Sequence, residues 1–207
     1  RKAGIVRCYG REELVTVANV FLCKELKGRK MAIITHAGGP GVMLTDALED
    51  GGLTIPVIPN SPAKSKLKEK LLPGSSVENP FDILATGTAD HLRDIIDACE
   101  HDFDVDGMAV IFGSNGLVPV REVYDLIGEQ MQRCSKPIYP ILPSIINVRE
   151  EVSQFLSLGN VNFPDEVLLG RALTKIMNTG KPSDHSIFLE GIDIPEIRRI
   201  VDQTQPG

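Results

Sequence analysis

The stretch AIITHAGGPGVMLTDALEDGG, residues 32–52, changes character twice. It begins inside an apolar, largely β-branched run, MAIIT at 31–35, with no polar alternation. A strand buried on both faces reads that way. His36 and the glycines 38, 39 and 41 follow. Behind them Pro40 suits a first helical turn, Val42, Met43, Ala47 and Leu48 supply a helical apolar face, and Gly51-Gly52 stops it. A strand, a glycine loop and a helix are the opening unit of a parallel α/β sheet.

The loop has the chemistry of an anion site. Gly38, Gly39 and Gly41 let a ligand approach the backbone closely. The first amides of a helix lack intrahelical partners, and the helix dipole favours negative charge there. With Pro40 taken as the first turn, Gly41, Val42 and Met43 are the expected donors. The spacing is neither GxGxxG nor GxxxxGK[ST], and it brings neither a P-loop lysine nor a ribose-binding acid. An ordinary tight strand-to-helix turn accounts for the spacing equally well. His36 is a candidate nucleophile or phosphate carrier, and equally a turn residue bonded to a carbonyl. His91 and His101 read as surface residues on or beside a helix.

The alternation continues outward. Before the stretch, GREELVTVANVFLCKELKG at 10–28 has Leu14, Val17, Ala18, Phe21, Leu22 and Leu26 at helical spacing, with Gly28 as stop and Lys24 and Lys27 in the last turn. After it come an edge strand at LTIPVI (53–58), marked by Pro56, and a helix at 61–72 with Ser61 as N-cap and Pro62 in its first turn. FDIL (81–84) is a brief strand, and a helix capped by Thr88 follows. VDGMAVIFG (105–113) is the central strand. A helix, the strand PIYPIL (137–142), a helix closed by Gly159, the short strand VNF (161–163) and a last helix to about residue 180 complete the pattern. Residues 181–207, which include His185, read as a linker with a helical echo at PEIRRIVDQ.

About six strands alternating with helices predict a doubly wound parallel sheet with helices on both faces, three layers deep. Ligands in such sheets bind beyond the carboxyl ends of the strands. A second loop falls there, with Gly113, Ser114, Asn115 and Gly116 after the central strand, offering donors for a carboxylate or phosphate. Asn79 and Asp82 of NPFD are candidates for supporting these loops, with Asp82 also a candidate base.

Composition removes several classes. The formal net charge is −6, and no basic block is present to meet nucleic acid. The lysines of AKSKLKEK (63–70) read as a solvated helix face. No apolar run approaches the ~18–20 residues of a membrane span. Cys8, Cys23, Cys99 and Cys134 are scattered without CxxC or histidine at ligand spacing, so no metal site is expected. They suit a reducing, cytoplasmic setting as buried apolar groups. The chain begins at Arg1 and ends in DQTQPG, which reads as a piece of a longer protein.

The order of motifs carries more than any one of them. AIITHAGGPGVMLTDALEDGGL, then LLPGSSVENPFDIL, VDGMAVIF, KPIYPIL and VNFPDEVLLGRAL resemble the NDP-forming acyl-CoA synthetases over residues 1–179. That family includes the ADP-forming acetate–CoA ligases and, more distantly, succinyl-CoA synthetase. The resemblance implies the second flavodoxin-like module, the ligase-CoA domain, over 1–180 with 1–28 as its leading helix. Residues 181–207 would then lead toward an ATP-grasp module. It implies that the whole enzyme uses CoA, ATP or another NTP, and Mg, with no cofactor held in this piece. The carboxylic acid becomes acyl-CoA through an acyl phosphate and a phosphohistidine.

The carrier histidine of relatives lies in an SHTGA-like motif just before the segment resembling RKAGIVRCYGREELV. That motif is absent here. Many relatives have Asn at the place of His36, which argues against catalysis by His36. The resemblance therefore gives Gly38, Gly39, Gly41, Val42 and Met43 the phosphoryl group of another domain's histidine. It gives Gly113, Ser114, Asn115 and Gly116 the acid substrate. The expected partners are CoA-binding and ATP-grasp domains of the same or another chain, and a homo-oligomer is allowed. The rival readings are a non-catalytic flavodoxin-like binding module, for FMN or a signalling partner, and a component of acyl or carbamoyl transfer or of a protein acetyltransferase. The 5% aromatic content and absence of Trp disfavour a flavin sandwich.

Overall fold

The computed structural model describes residues 4–114, 116, 119–143, 146–180 and 191–203. Four strands, β1 (Met31–Thr35), β2 (Phe81–Asp82), β3 (Gly107–Ile111) and β4 (Ile138–Ile141), form one parallel sheet in the order β2-β1-β3-β4. Every residue of β1, β3 and β4 is buried. That explains the missing alternation, because both faces of the sheet are covered. Met31 and Ile33 point to one face with Ala109, Ile111, Tyr139 and Ile141. Ala32 and Ile34 point to the other with Met108 and Val110.

Helices α1 (Arg11–Leu22), α2 (Gly38–Glu49) and α7 (Glu166–Met177) cover the first face. A Cβ at Gly170 would lie 2.7 Å from that of Ala47, so glycine there sets the close approach of α7 to α2. The second face is covered by α3 (Pro62–Lys70), α4 (Ala89–His101), α5 (Val120–Arg133) and α6 (Arg149–Ser157). Val6–Thr179 form one compact unit; residues 1–5 and 180–207 group separately, and there α8 (Ile194–Gln203) is exposed throughout. Residues 181–190 of the expected linker lie outside the described residues.

Several expectations hold in detail. Ser61 caps α3 by accepting from Lys64 N at 3.1 Å, with Pro62 in the first turn. Thr88 and His91 form the capping box of α4. Gly159 takes φ +84° just past α6.

Others are corrected. The segment at 53–58 and VNF each contribute a single bridge, Thr54 to Lys30 and Phe163 to Ile141, and do not form strands. α2 starts at Gly38, two residues before Pro40. α1 ends at Leu22, because Cys23 turns to extended backbone and sends Leu26 into the core. Lys24 and Lys27 therefore lie beyond the helix, and Lys24 Nζ binds the carbonyls of Gln132 and Cys134. The face read as the core side of α1 is largely exposed: Thr16, Val17 and Val20 are buried, while Leu14, Ala18, Phe21 and Leu22 are not. Lys64 of the lysine-rich stretch is buried, its Nζ bonded to Ile58 O at 2.8 Å and Glu78 Oε1 at 2.6 Å.

Candidate functional site

The sheet order reverses between β1 and β3. β1 leads to β2 on one side, and β3 leads to β4 on the other. Their carboxyl ends are in register, Thr35 beside Ile111, so both candidate loops leave the sheet at the switch point where open α/β sheets bind ligands.

Thr35 is 1% exposed and shapes the first loop. Its Oγ1 donates to Ala37 O at 2.7 Å and accepts from Ala37 N at 3.0 Å. Ala37, the N-cap of α2, has its amide satisfied by this turn. Pro40 has no N–H. From Gly41 onward, helix geometry directs each amide to the carbonyl four residues back. The open donors are thus the amides of Gly38 and Gly39, because the helix begins earlier than Pro40 suggested.

The glycines have different surroundings. A Cβ on Gly39 would meet nothing within 4 Å. On Gly41 it would meet Thr35 Cγ2 at 3.2 Å and Pro80 Cβ at 3.7 Å, so Gly41 serves helix-to-sheet packing. Val42 and Met43 expose their side chains.

His36 is held by the neighbouring loop. Its ring stacks on Phe112 with centroids 4.6 Å apart and planes at 27°. Nδ1 lies 3.3 Å from Ile111 O. A carbonyl only accepts, so Nδ1 carries the proton and Nε2 of the neutral ring is an acceptor. Burial lowers the pKa of His36 below its ordinary 6.5, against the opposing pull of the Ile111 carbonyl and the Asp82 charge.

Asn79 and Asp82 sit on the β2 side of β1. Asn79 Oδ1 accepts from Ile33 N at 2.9 Å, and its Nδ2 donates to Met31 O at 2.9 Å and Pro56 O at 3.3 Å. The amide thereby occupies the β1 edge between the Thr54 bridge and β2, where no backbone pairs. Asn162 repeats the device at the end of β4, bonding Leu142 N and O at 2.9 and 3.2 Å. Asp82 Oδ1 accepts from Leu84 N at 2.8 Å, holding Leu84 at φ +63°. Its Oδ2 lies 3.9 Å from the Cβ position of Gly38, so a carboxylate stands beside the start of α2.

The structure brings His36, Asp82, Gly38 and Gly39 together with Phe112 at the start of the second loop. Gly113, Ser114 and Gly116 follow Phe112 in sequence, Gly116 at φ +75°; Asn115 lies outside the described residues. The roles of Thr35 and Phe112 were missed in the sequence, where a buried threonine and a core phenylalanine carry no signal. Among the described residues no cluster of three or more His, Cys, Asp or Glu could hold a metal ion, and no helix is long and apolar enough to cross a membrane.

No family model matches the chain. Among curated proteins it is 29% identical over 194 residues to the ADP-forming acetate–CoA ligase I of Archaeoglobus fulgidus, covering 94% of this chain and 27% of that enzyme. It is 26% identical over 187 residues to the alpha subunit of the ADP-forming acetate–CoA ligase I of Pyrococcus furiosus, covering 87% of this chain and 39% of that subunit. A solved structure of the dinucleotide-forming acetyl-coenzyme A synthetase 1 of Candidatus Korarchaeum cryptofilum superposes with a TM-score of 0.73 at 21% identity, over 84% of this chain and 38% of that one. This agreement confirms the fold, and the same protein has been solved with phosphate and ADP. The chain spans well under half the length of each of these relatives. Motif order and sequence similarity agree along nearly its whole length, and both liken the chain to the ADP-forming acetate–CoA ligases.

Proposed function

We propose that this chain is the ligase-CoA domain of an enzyme that joins a carboxylic acid to CoA at the expense of a nucleoside triphosphate. In this reading the reaction runs through a phosphohistidine and an acyl phosphate, and the carrier histidine comes from another domain. The observation that supports the reading is the pair of open amides at Gly38 and Gly39, at the switch point of the sheet, with free space over Gly39.

The amides would donate to the equatorial oxygens of the phosphoryl group and strengthen as charge builds on them. They are fixed by the Thr35 turn, so no reorganisation is needed at the moment of transfer. Gly41 would hold the helix against β1, and Val42 and Met43 would flank the approach from the first turns of α2. The second loop, Gly113 to Gly116, would take the acid. Asp82 opposes an incoming anion, so the isolated domain should bind phosphate weakly, with further positive charge brought by the other domains or by Mg.

The test is phosphate titration of the ¹⁵N-labelled chain. Saturable shifts of the Gly38 and Gly39 amides, lost in Gly39→Val, are the expected result. Amides that stay unmoved up to 100-millimolar-scale phosphate would defeat the reading.

A further inference from the structure

We infer that His36 is a further ligand of the phosphoryl site proposed at Gly38 and Gly39, donating from Nε2 as the imidazolium, so that anion binding there is tied to proton uptake; this rests on that reading of the loop. Two contacts leave the ring one polar atom to offer. Nδ1 is committed to Ile111 O at 3.3 Å, and one face lies on Phe112 with centroids 4.6 Å apart. Nε2 has no hydrogen-bond partner among the described residues, and the ring is half-buried rather than sealed in the core. In the chain His36 stands between Thr35, the last residue of β1, and Ala37, the N-cap of α2. Asp82 locates it from the other side. Its charge acts on His36, and its Oδ2 lies 3.9 Å from the Cβ position of Gly38. The imidazole, the carboxylate and the start of α2 therefore share one corner at the carboxyl end of the sheet.

An ionised phosphoryl oxygen has no proton to give. A neutral Nε2 meets it with a lone pair, and Asp82 meets it with a negative charge, so both repel. A proton on Nε2 turns the first of these into a charge-assisted donor. Asp82, which opposes the anion, favours the imidazolium. The proton comes from solvent, and no bond to phosphorus forms or breaks. Among the described residues, Asp82 of β2 is the charged group that acts on the ring. β1, β3 with Phe112, and the first turn of α2 carry no charged side chain. From α5 the Tyr124 hydroxyl reaches Phe112 O at 3.4 Å, and burial pushes its pKa up to about 12, so it stays neutral. His36 is thus neutral in the free chain and charged beneath a bound dianion. By linkage the dianion raises the His36 pKa by the same factor by which protonation tightens binding.

Sulfate is the probe, because it stays a dianion over a range where phosphate changes charge. It is titrated into the ¹⁵N-labelled 207-residue chain at constant ionic strength, at about pH 7.5 and about pH 5, with Kd read from the Gly38 and Gly39 amides. Kd should fall about three- to tenfold at the lower pH, and by less than about twofold in His36→Asn, where only the general loss of negative charge remains. In saturating sulfate the midpoint of the His36 ring-proton titration should move up by about one pH unit. That midpoint is measured on the unaltered chain, so it decides alone if His36→Asn fails to fold. Asp82→Asn should bind sulfate more tightly at both pH values and keep the pH dependence. Amides that respond to sulfate while the His36 midpoint stays put leave the phosphoryl site standing and overturn this inference. So does a pH dependence that survives His36→Asn and disappears in Asp82→Asn, which would make the carboxylate the switch. Amides that respond at neither pH remove the phosphoryl site itself, and the role of His36 with it.

Discussion

At the scale of single residues, the loop after β1 assigns different work to similar glycines. Gly39 faces open space, so Gly39→Val should leave the melting temperature within a few degrees while removing phosphate-dependent shifts at α2. Gly41 faces Thr35 and Pro80 at 3.2–3.7 Å from an added Cβ. Gly41→Val should cost about 1–3 kcal/mol in urea unfolding, as overpacked sites do. His36 gives a second check. Burial holds its pKa below 6.5, while Asp82 pulls the other way. Asp82→Asn should lower the His36 pKa further, as read from its ring protons by NMR. Because the folded pKa lies below the unfolded one, the unfolded chain binds the extra proton more readily. Stability tied to His36 is therefore complete above about pH 6.5 and is lost as pH falls through the folded value. His36→Asn should flatten that part of the stability–pH curve. A steep fall that persists unchanged in His36→Asn would assign the proton to another group.

At the scale of elements, side chains finish what the strands leave open. β1 is bonded to β3 along its length, but among the described residues the backbone meets its other edge only at the Thr54 bridge and at β2 with the adjoining Ile83. Asn79 satisfies Ile33 N and Met31 O between them. Asn79→Ala would strand a buried amide and carbonyl, and should cost about 2–6 kcal/mol at the 1–3 kcal/mol of each unsatisfied group. A loss under 0.5 kcal/mol by chemical denaturation would show that water or a shifted backbone replaces the amide. This is also where the sequence became hard to read. Buried strands such as MAIIT announce themselves because both faces are covered, and the caps Ser61 and Thr88 act through contacts three residues away. The short run at 53–58 has strand-like residues, but Pro56 lacks an N–H and an asparagine twenty-three residues on takes over the edge. Such a pairing has no local signature. α1 misled for another reason: it has apolar residues on two faces, and periodicity alone does not say which one meets the sheet. The start of α2 was misplaced because Pro40 tolerates any position in the first turn, and the Thr35–Ala37 turn that sets Gly38 as the first residue is a side-chain contact.

At the scale of the whole molecule, the sheet, both its cores and the candidate site lie within Val6–Thr179. Glu13 pairs with Lys175 and ties α1 to α7, and Arg29 binds Met177 O and Asn178 Oδ1, so the last helix of the unit is fastened twice at its C-terminal end. A chain ended after Thr179 should therefore melt within about 2 °C of the full 207 residues, since the described residues beyond it, 180 and 191–203, are exposed and removal of an exposed end costs little. A fall of 10 °C or more would show that the C-terminal segment takes part in the fold. Catalysis should divide the other way. Among the described residues the site offers two backbone amides, a neutral imidazole and a repelling carboxylate, with no metal-holding cluster. The matched chain of Archaeoglobus fulgidus has 73% of its length outside the matched region. If transfer depends on a histidine and a nucleotide site from those other parts, the 207-residue chain incubated with acetate, CoA, Mg and ATP or GTP should form no thioester above a boiled control. Adding the remaining domains as a separate polypeptide should start turnover, and Gly39→Val in the 207-residue chain should slow phosphoryl transfer while leaving CoA binding intact. Thioester formation by the 207 residues alone would mean that the nucleotide and CoA sites lie within this chain, and the assignment of a positioning domain would fall.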